Sequence, residues 1–204
     1  RQRQMCIRDS NWIDEHVDGK PYGVDVLVPN SYVGKGENLT TDDLRAMIPQ
    51  EHREFRADVL EKHDIEANDL RSDAGSQRTE QNSNQVLGAG LDGAKEVLEV
   101  AFSHPIGLVA NALGVPPKWM LDMGKEHNVP VAALIGAKQH AVKQVEAGVD
   151  IIVVSGTEGG GHCGSVSTMV LVPEVRRALK PYGDVPILAA GGICTGEQMA
   201  GVMA

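Results

Sequence analysis

The chain has 204 residues, 42% of them hydrophobic and 23% charged, a globular composition with ample material for a core. Acidic residues outnumber lysine and arginine 28 to 19, for a net charge of −9, and the basic residues are scattered, which argues against a nucleic-acid partner. No apolar run is long enough to cross a bilayer, no export leader is visible, and Cys6, Cys163 and Cys194 lie far apart without metal-ligand spacing, so a cytoplasmic protein without membrane or metal is expected.

The opening ten residues, "RQRQMCIRDS", show no apolar period and resemble a translated sequencing adapter, so residues 1–10 are expected to stand apart from a domain covering 11–204. "PYGVDVLVP", bounded by Pro21 and Pro29, predicts a first strand. An acidic and polar region follows over about 30–85. Within it, Thr40 and Asp43 mark a helix start with Leu44, Met47 and Ile48 on one face, and Pro49 opens a second helix carrying Phe55, Val59 and Leu60. This is expected to be a small helical insertion. Between Asn68 and Gln85 apolar residues almost vanish, which predicts an exposed loop or a lid.

After Val86 the chain becomes regular. Leu91, Ala94, Val97, Leu98, Ala101 and Phe102 recur at helical spacing, His104-Pro105 stops them, and "IGLVANAL" predicts a strand. A helix over Pro116 to His127, the strand "VPVAALIG", a helix over Lys138 to Ala147 ended by Gly148, and the strand "VDIIVVSG" follow. Beyond a glycine-rich loop come a helix over Leu171 to Leu179, the strand "VPILAAGG" and a helix from Gly196. The five strands are unbroken apolar runs, which suits a parallel sheet covered on both faces, either a closed barrel or an open doubly wound sheet. A complete eight-unit barrel takes roughly 250 residues. About half of that remains once the opening segment and insertion are set aside, and the chain stops inside an apparent helix, so a fragment lacking strands at both ends is expected.

Two stretches carry chemistry. In "VVSGTEGGGHCG" a buried strand stops at Ser155, and glycines then surround His162. Glycines at a strand's carboxyl end let backbone approach a flat or anionic ligand, and an imidazole there is suited to act as a general base. The alternative is a tight loop with a hydrogen-bonded structural histidine, which position at a parallel strand's end disfavours. In "LAAGGIC" the turn at Gly191-Gly192 can present N–H groups to a phosphate, or can be a plain strand-to-helix turn. Lys138, Gln139 and His140 could face a ligand but read more simply as a polar helix start. Cys163 reads as a small loop residue rather than a nucleophile. Trp119, Met120 and Met123 sit at helical spacing, as core residues do.

"KPYGVDVL", "PPKWML", "AGVDIIVVSGTEGGGHCG", "TMVLVPEV" and "VPILAAGGICTG" resemble, in order, segments of the nitronate monooxygenase family of flavoproteins, also called 2-nitropropane dioxygenase-like. The resemblance runs from about Lys20 to the end, apart from the insertion. It implies an incomplete TIM (β/α)8 barrel, roughly its third to seventh strands, holding FMN at the strand carboxyl ends. His162 matches the family's proton-abstracting histidine; Gly160 and Gly161 match the loop at the flavin, and Gly191 and Gly192 the turn that helps hold the FMN phosphate. Asp25 and Ser155 stand where an asparagine and a glutamine contacting flavin are usual. The insertion after Pro29 is a third departure, and it resembles a steroid-degradation-linked subgroup acting on coenzyme A thioesters as flavin-dependent reductases or dehydrogenases. The implied substrate is a small molecule, an alkyl nitronate or an acyl-CoA, with O2 or NAD(P)H as electron partner. The alternatives are an FMN-dependent reductase or dehydrogenase of a coenzyme A thioester, and a catalytically silent barrel fragment.

Overall fold

Runs such as "VAALI" and "IIVV" carry no polar alternation, so their residues are stable only in a sheet shielded on both sides. That sheet is what forms. The structure is a computed structural model, and it describes residues 2–28, 43, 46–65, 92–161 and 163–203. The chain divides into two compact units, residues 1–30 together with 92–204, and residues 31–91.

In the first unit, helix α1 (Gln2–His16) leads to β1 (Gly23–Asp25). After the second unit, whose main described element is α2 (Gln50–Lys62), come α3 (Asp92–Ala101), β2 (Leu108–Asn111), α4 (Lys118–His127), β3 (Val131–Ile135) and α5 (Lys138–Ala147). The chain continues through β4 (Ile151–Ser155), α6 (Thr168–Leu179), β5 (Ile187–Ala190) and α7 (Gly196–Met203). The strands pair in chain order, β1-β2-β3-β4-β5, and every pairing is parallel. A doubly wound sheet would reverse direction at a switch point. Unbroken sequential order is that of a TIM barrel, here an incomplete one of five strands with its helices outside.

The register separates two faces. Val109, Val131, Ala133, Ile135, Ile152 and Val154 turn outward and are buried with Leu98, Met120, Leu171, Val175 and Leu179 from the helices. Asp25, Ala110, Ala132 and Ile151 are successive register partners on the opposite, inner face. Two pleats on from Ile151, Ser155 lies on that same face and pairs with Ala190.

Two expected boundaries shift. The strand expected over "PYGVDVLVP" is regular only at Gly23–Asp25, although Val26 N–H still donates to Ala110 O at 2.9 Å and Val26 and Val28 are buried. Helix α6 starts at Thr168 rather than Leu171, because the Glu158 carboxylate reaches its first turn from ten residues upstream. The opening segment enters α1, whose Asp14 accepts from Tyr22 O–H at 2.5 Å and from His104 Nδ1 at 2.6 Å, tying this helix to the amino ends of β1 and β2.

In the second unit Pro49 is the N-cap of α2, as its position predicts, and no residue of that helix is buried; Phe55 is 71% exposed. The expected helix start at Thr40, its face residue Leu44 and the Asn68–Gln85 loop lie outside the described residues. No helix among the described residues is long and apolar enough to cross a membrane.

Candidate active site

The carboxyl ends of the strands gather the candidate residues. Asp25 ends β1, Ser155 ends β4, and Gly191-Gly192 follow β5, so the sheet brings together groups drawn from three of its strands. Burial pushes the Asp25 carboxyl above the usual carboxylate range. His162 lies outside the described residues, but both of its neighbours, Gly161 and Cys163, are described.

The loop after β4 is organised by its own carboxylate. Thr157 N–H donates to Val166 O at 3.0 Å, which closes the loop and brings Glu158 to the start of α6. There Glu158 Oε2 accepts from Thr168 N–H at 2.8 Å and from Thr168 Oγ1 at 3.0 Å, and the Thr168 hydroxyl in turn accepts from Gly156 N–H at 3.2 Å. The bond from Thr168 N–H, followed by the other donors of the loop, holds the Glu158 carboxyl below its usual range. Glu158 thus supplies the cap that Ser167 does not.

The glycines fall into two groups. Gly160 and Gly161 have φ of +70° and +69°, and a Cβ on either would meet nothing within 4 Å, so open space lies against this backbone. Gly191 and Gly192, at φ +92° and +74°, are enclosed: a Cβ on the first would stand 2.7 Å from Gly159 Cα, and on the second 2.7 Å from Glu158 Cβ. The second pair is therefore required by close packing of the β5 turn against the β4 loop, a reason independent of any ligand. At the start of α7, Gln198 Oε1 accepts from Cys194 N–H at 2.7 Å and Thr195 N–H at 3.1 Å, while Gln198 N–H donates to Thr195 Oγ1 at 3.3 Å, a capping box that occupies three of the donors there.

A flat cofactor fits the side-chain-free backbone with open space at Gly160 and Gly161. Among the described residues no cluster of histidine, cysteine and carboxylate groups could hold a metal ion. A cavity of about 590 Å³ between α6, β5 and α7 is lined by apolar groups such as Met169, Val172 and Met199 and brings no acid–base pair together.

The family model described as nitronate monooxygenase matches residues 15–204. The chain belongs to the nitronate monooxygenase family. It is 45% identical over 194 residues to a Mycobacterium tuberculosis protein provisionally named monooxygenase Rv1533, covering 95% of this chain and 49% of that protein. It is 38% identical over 110 residues to an octahydro-indene-carboxyl-CoA dehydrogenase of the same organism, covering 54% of this chain and 30% of the dehydrogenase. The chain therefore spans about half or less of the length of these curated relatives. Among solved structures, nitroalkane oxidase from Streptomyces ansochromogenes matches with a TM-score of 0.57 and 20% identity over 95% of this chain and 51% of that one, a likeness of fold.

Three polar residues were not singled out from the sequence. Asn111, fully buried, accepts from Val28 N–H at 2.9 Å through Oδ1 and donates through Nδ2 to Gly114 O at 3.2 Å, fixing the segments that leave β1 and β2. A lone amide inside the apolar run "IGLVANAL" was the available signal for it. Glu158 and Gln144 gave none, since their partners depend on tertiary closure.

Proposed function

We propose that this nitronate monooxygenase family member is an FMN-dependent oxidoreductase in which His162 takes a proton from carbon next to an activating group of a small substrate. Family membership, with glycine backbone facing open space at Gly160 and Gly161 beside that histidine, carries the reading. FMN, when bound, supplies the electron acceptor. The chain's own residues do the remainder. Gly160 and Gly161 leave clearance for the ring, and the Gly191-Gly192 turn lies at the phosphate end. Asp25 and Ser155 offer oxygen atoms from the inner face of the sheet. Glu158 ties the start of the loop after β4 to the first turn of α6. An imidazole there is suited to abstract an α-proton.

Oxygen uptake by purified, FMN-supplemented protein with alkyl nitronates is the test. Uptake that falls at least 100-fold in His162→Ala, with the yellow chromophore retained, is expected. No uptake above that of His162→Ala would sink the monooxygenase reading. A second reading is favoured by the 38% identity to a CoA-ester dehydrogenase: oxidation or reduction of a coenzyme A thioester at the same site, with NAD(P)H as electron partner. Absence of any chromophore after adding FMN would favour a catalytically silent barrel instead.

A further inference from the structure

Helix α5 presents a polar stripe that the flavin site does not use. His140, Lys143 and Gln144 follow one another at helical spacing and line a cavity of about 340 Å³ at the carboxyl end of β3. The opposite walls are Ala112, Gly114 and Val115 after β2 and Cys163-Gly164 of the histidine loop. Gly164 is seated so closely on Gly136 that a Cβ at Gly136 would come within 3.1 Å of Gly164 Cα, so the loop forms a firm wall.

The polar groups of this cavity are unspent. Gln144 is 3% exposed; its Nε2 donates to Gly114 O at 3.1 Å, which fixes the amide's orientation, and its Oε1, closed off from solvent, accepts from no group among the described residues. Lys143 and His140 have neither an ion pair nor a hydrogen bond with the described residues, in contrast to Lys138, which pairs with Glu174 at 2.9 Å. Among the described residues no carboxylate lines the cavity, in a chain of net charge −9. Its volume lies within the range of about 300–1,000 Å³ usual for small-molecule sites.

We propose that this cavity binds a phosphorylated arm of the substrate or co-substrate: Lys143 and His140 meet the phosphate, and Gln144, bonded to Gly114 O, holds the wall beside them. The inference rests on the flavin-site reading in one respect, that Cys163 in its wall follows His162, so an arm lodged here extends from the reacting centre. A phosphate ester carrying amide or hydroxyl donors has two sources, a coenzyme A thioester and a phosphorylated nicotinamide dinucleotide.

Calorimetric titration of the FMN-supplemented protein with coenzyme A, and separately with NADPH, tests the site and tells the sources apart. At least one probe should bind, with affinity reduced tenfold or more in Lys143→Glu, reduced in Gln144→Leu, and within twofold of the parent in Lys138→Glu. Lys143 is exposed, so its variant keeps the fold, which circular dichroism verifies. Failure of both probes to bind, an unchanged affinity in Lys143→Glu, or an equal loss in Lys138→Glu would each overturn the proposal. Absorbance of the flavin in the same samples keeps the two readings separate. Lys143-dependent binding without bound FMN upholds the cavity and removes the flavin reading, and bound FMN with Lys143-independent binding does the reverse.

Discussion

At the scale of single residues, buried polar groups at the strand ends hold the candidate site in shape. Asn111 is the clearest, because its carboxamide is the partner of Val28 N–H and it has no contact with solvent. Asn111→Leu removes the acceptor while preserving bulk, and should destabilise the protein by about 1–3 kcal/mol, read as a lower midpoint in urea. An unchanged midpoint would mean that water or another group takes over the N–H. His162, Gly160 and Gly161 were legible as a candidate site because a hydroxyl and glycines interrupt an apolar run. Glu158 was not, although it sits in the same quoted motif, because its partner Thr168 lies ten residues on and meets it only when the loop closes.

Among elements, legibility followed the range of the capping interaction. Helix α5 ends at Ala147 with Gly148 at φ +99°, the stop its sequence predicts, and Pro49 likewise caps α2. For α6 the cap comes from Glu158, outside any local window, and the boundary moves by a turn accordingly. The capping box of α7 is local, formed by Thr195 and Gln198 three residues apart. Thr195→Ala should weaken this helix by about 1 kcal/mol, detected as faster amide exchange confined to Gly196–Met203. Exchange unaltered there would show that packing, not the cap, holds the helix. The same element-level view explains the two glycine pairs: one leaves space and the other fills it, a distinction invisible in the letters "GGG" and "GG".

For the molecule as a whole, ionisable groups at both ends of the strands set how stability responds to pH. Burial first, and then the bond to Asp14, raise the Tyr22 phenol to about 12. A raised phenol favours the folded state below its ordinary value near 10 and loses that contribution as pH climbs from about 10 to about 12. The lowered Asp14 and Glu158 carboxyls act in the opposite sense, contributing above the usual carboxylate range and losing it as pH falls through their folded values. Urea midpoints measured across pH should therefore fall at both extremes, and Tyr22→Phe should flatten the alkaline limb while leaving acid sensitivity from Glu158; an alkaline limb that persists in Tyr22→Phe would assign it elsewhere. The sheet's sequential order, by contrast, was open to two architectures in the sequence and is decided by pairing alone. That order also has a kinetic side. The separations between paired residues range from 19 to 35 for β3–β4, β2–β3 and β4–β5, as in Ala132 with Ile151 and Ile152 with Ile187, whereas Gly23 meets Leu108 only after 85. Closing the longer loop costs about 1 kcal/mol more in chain entropy, so four strands can assemble one unit at a time while β1, the three-residue strand, docks onto a sheet already built.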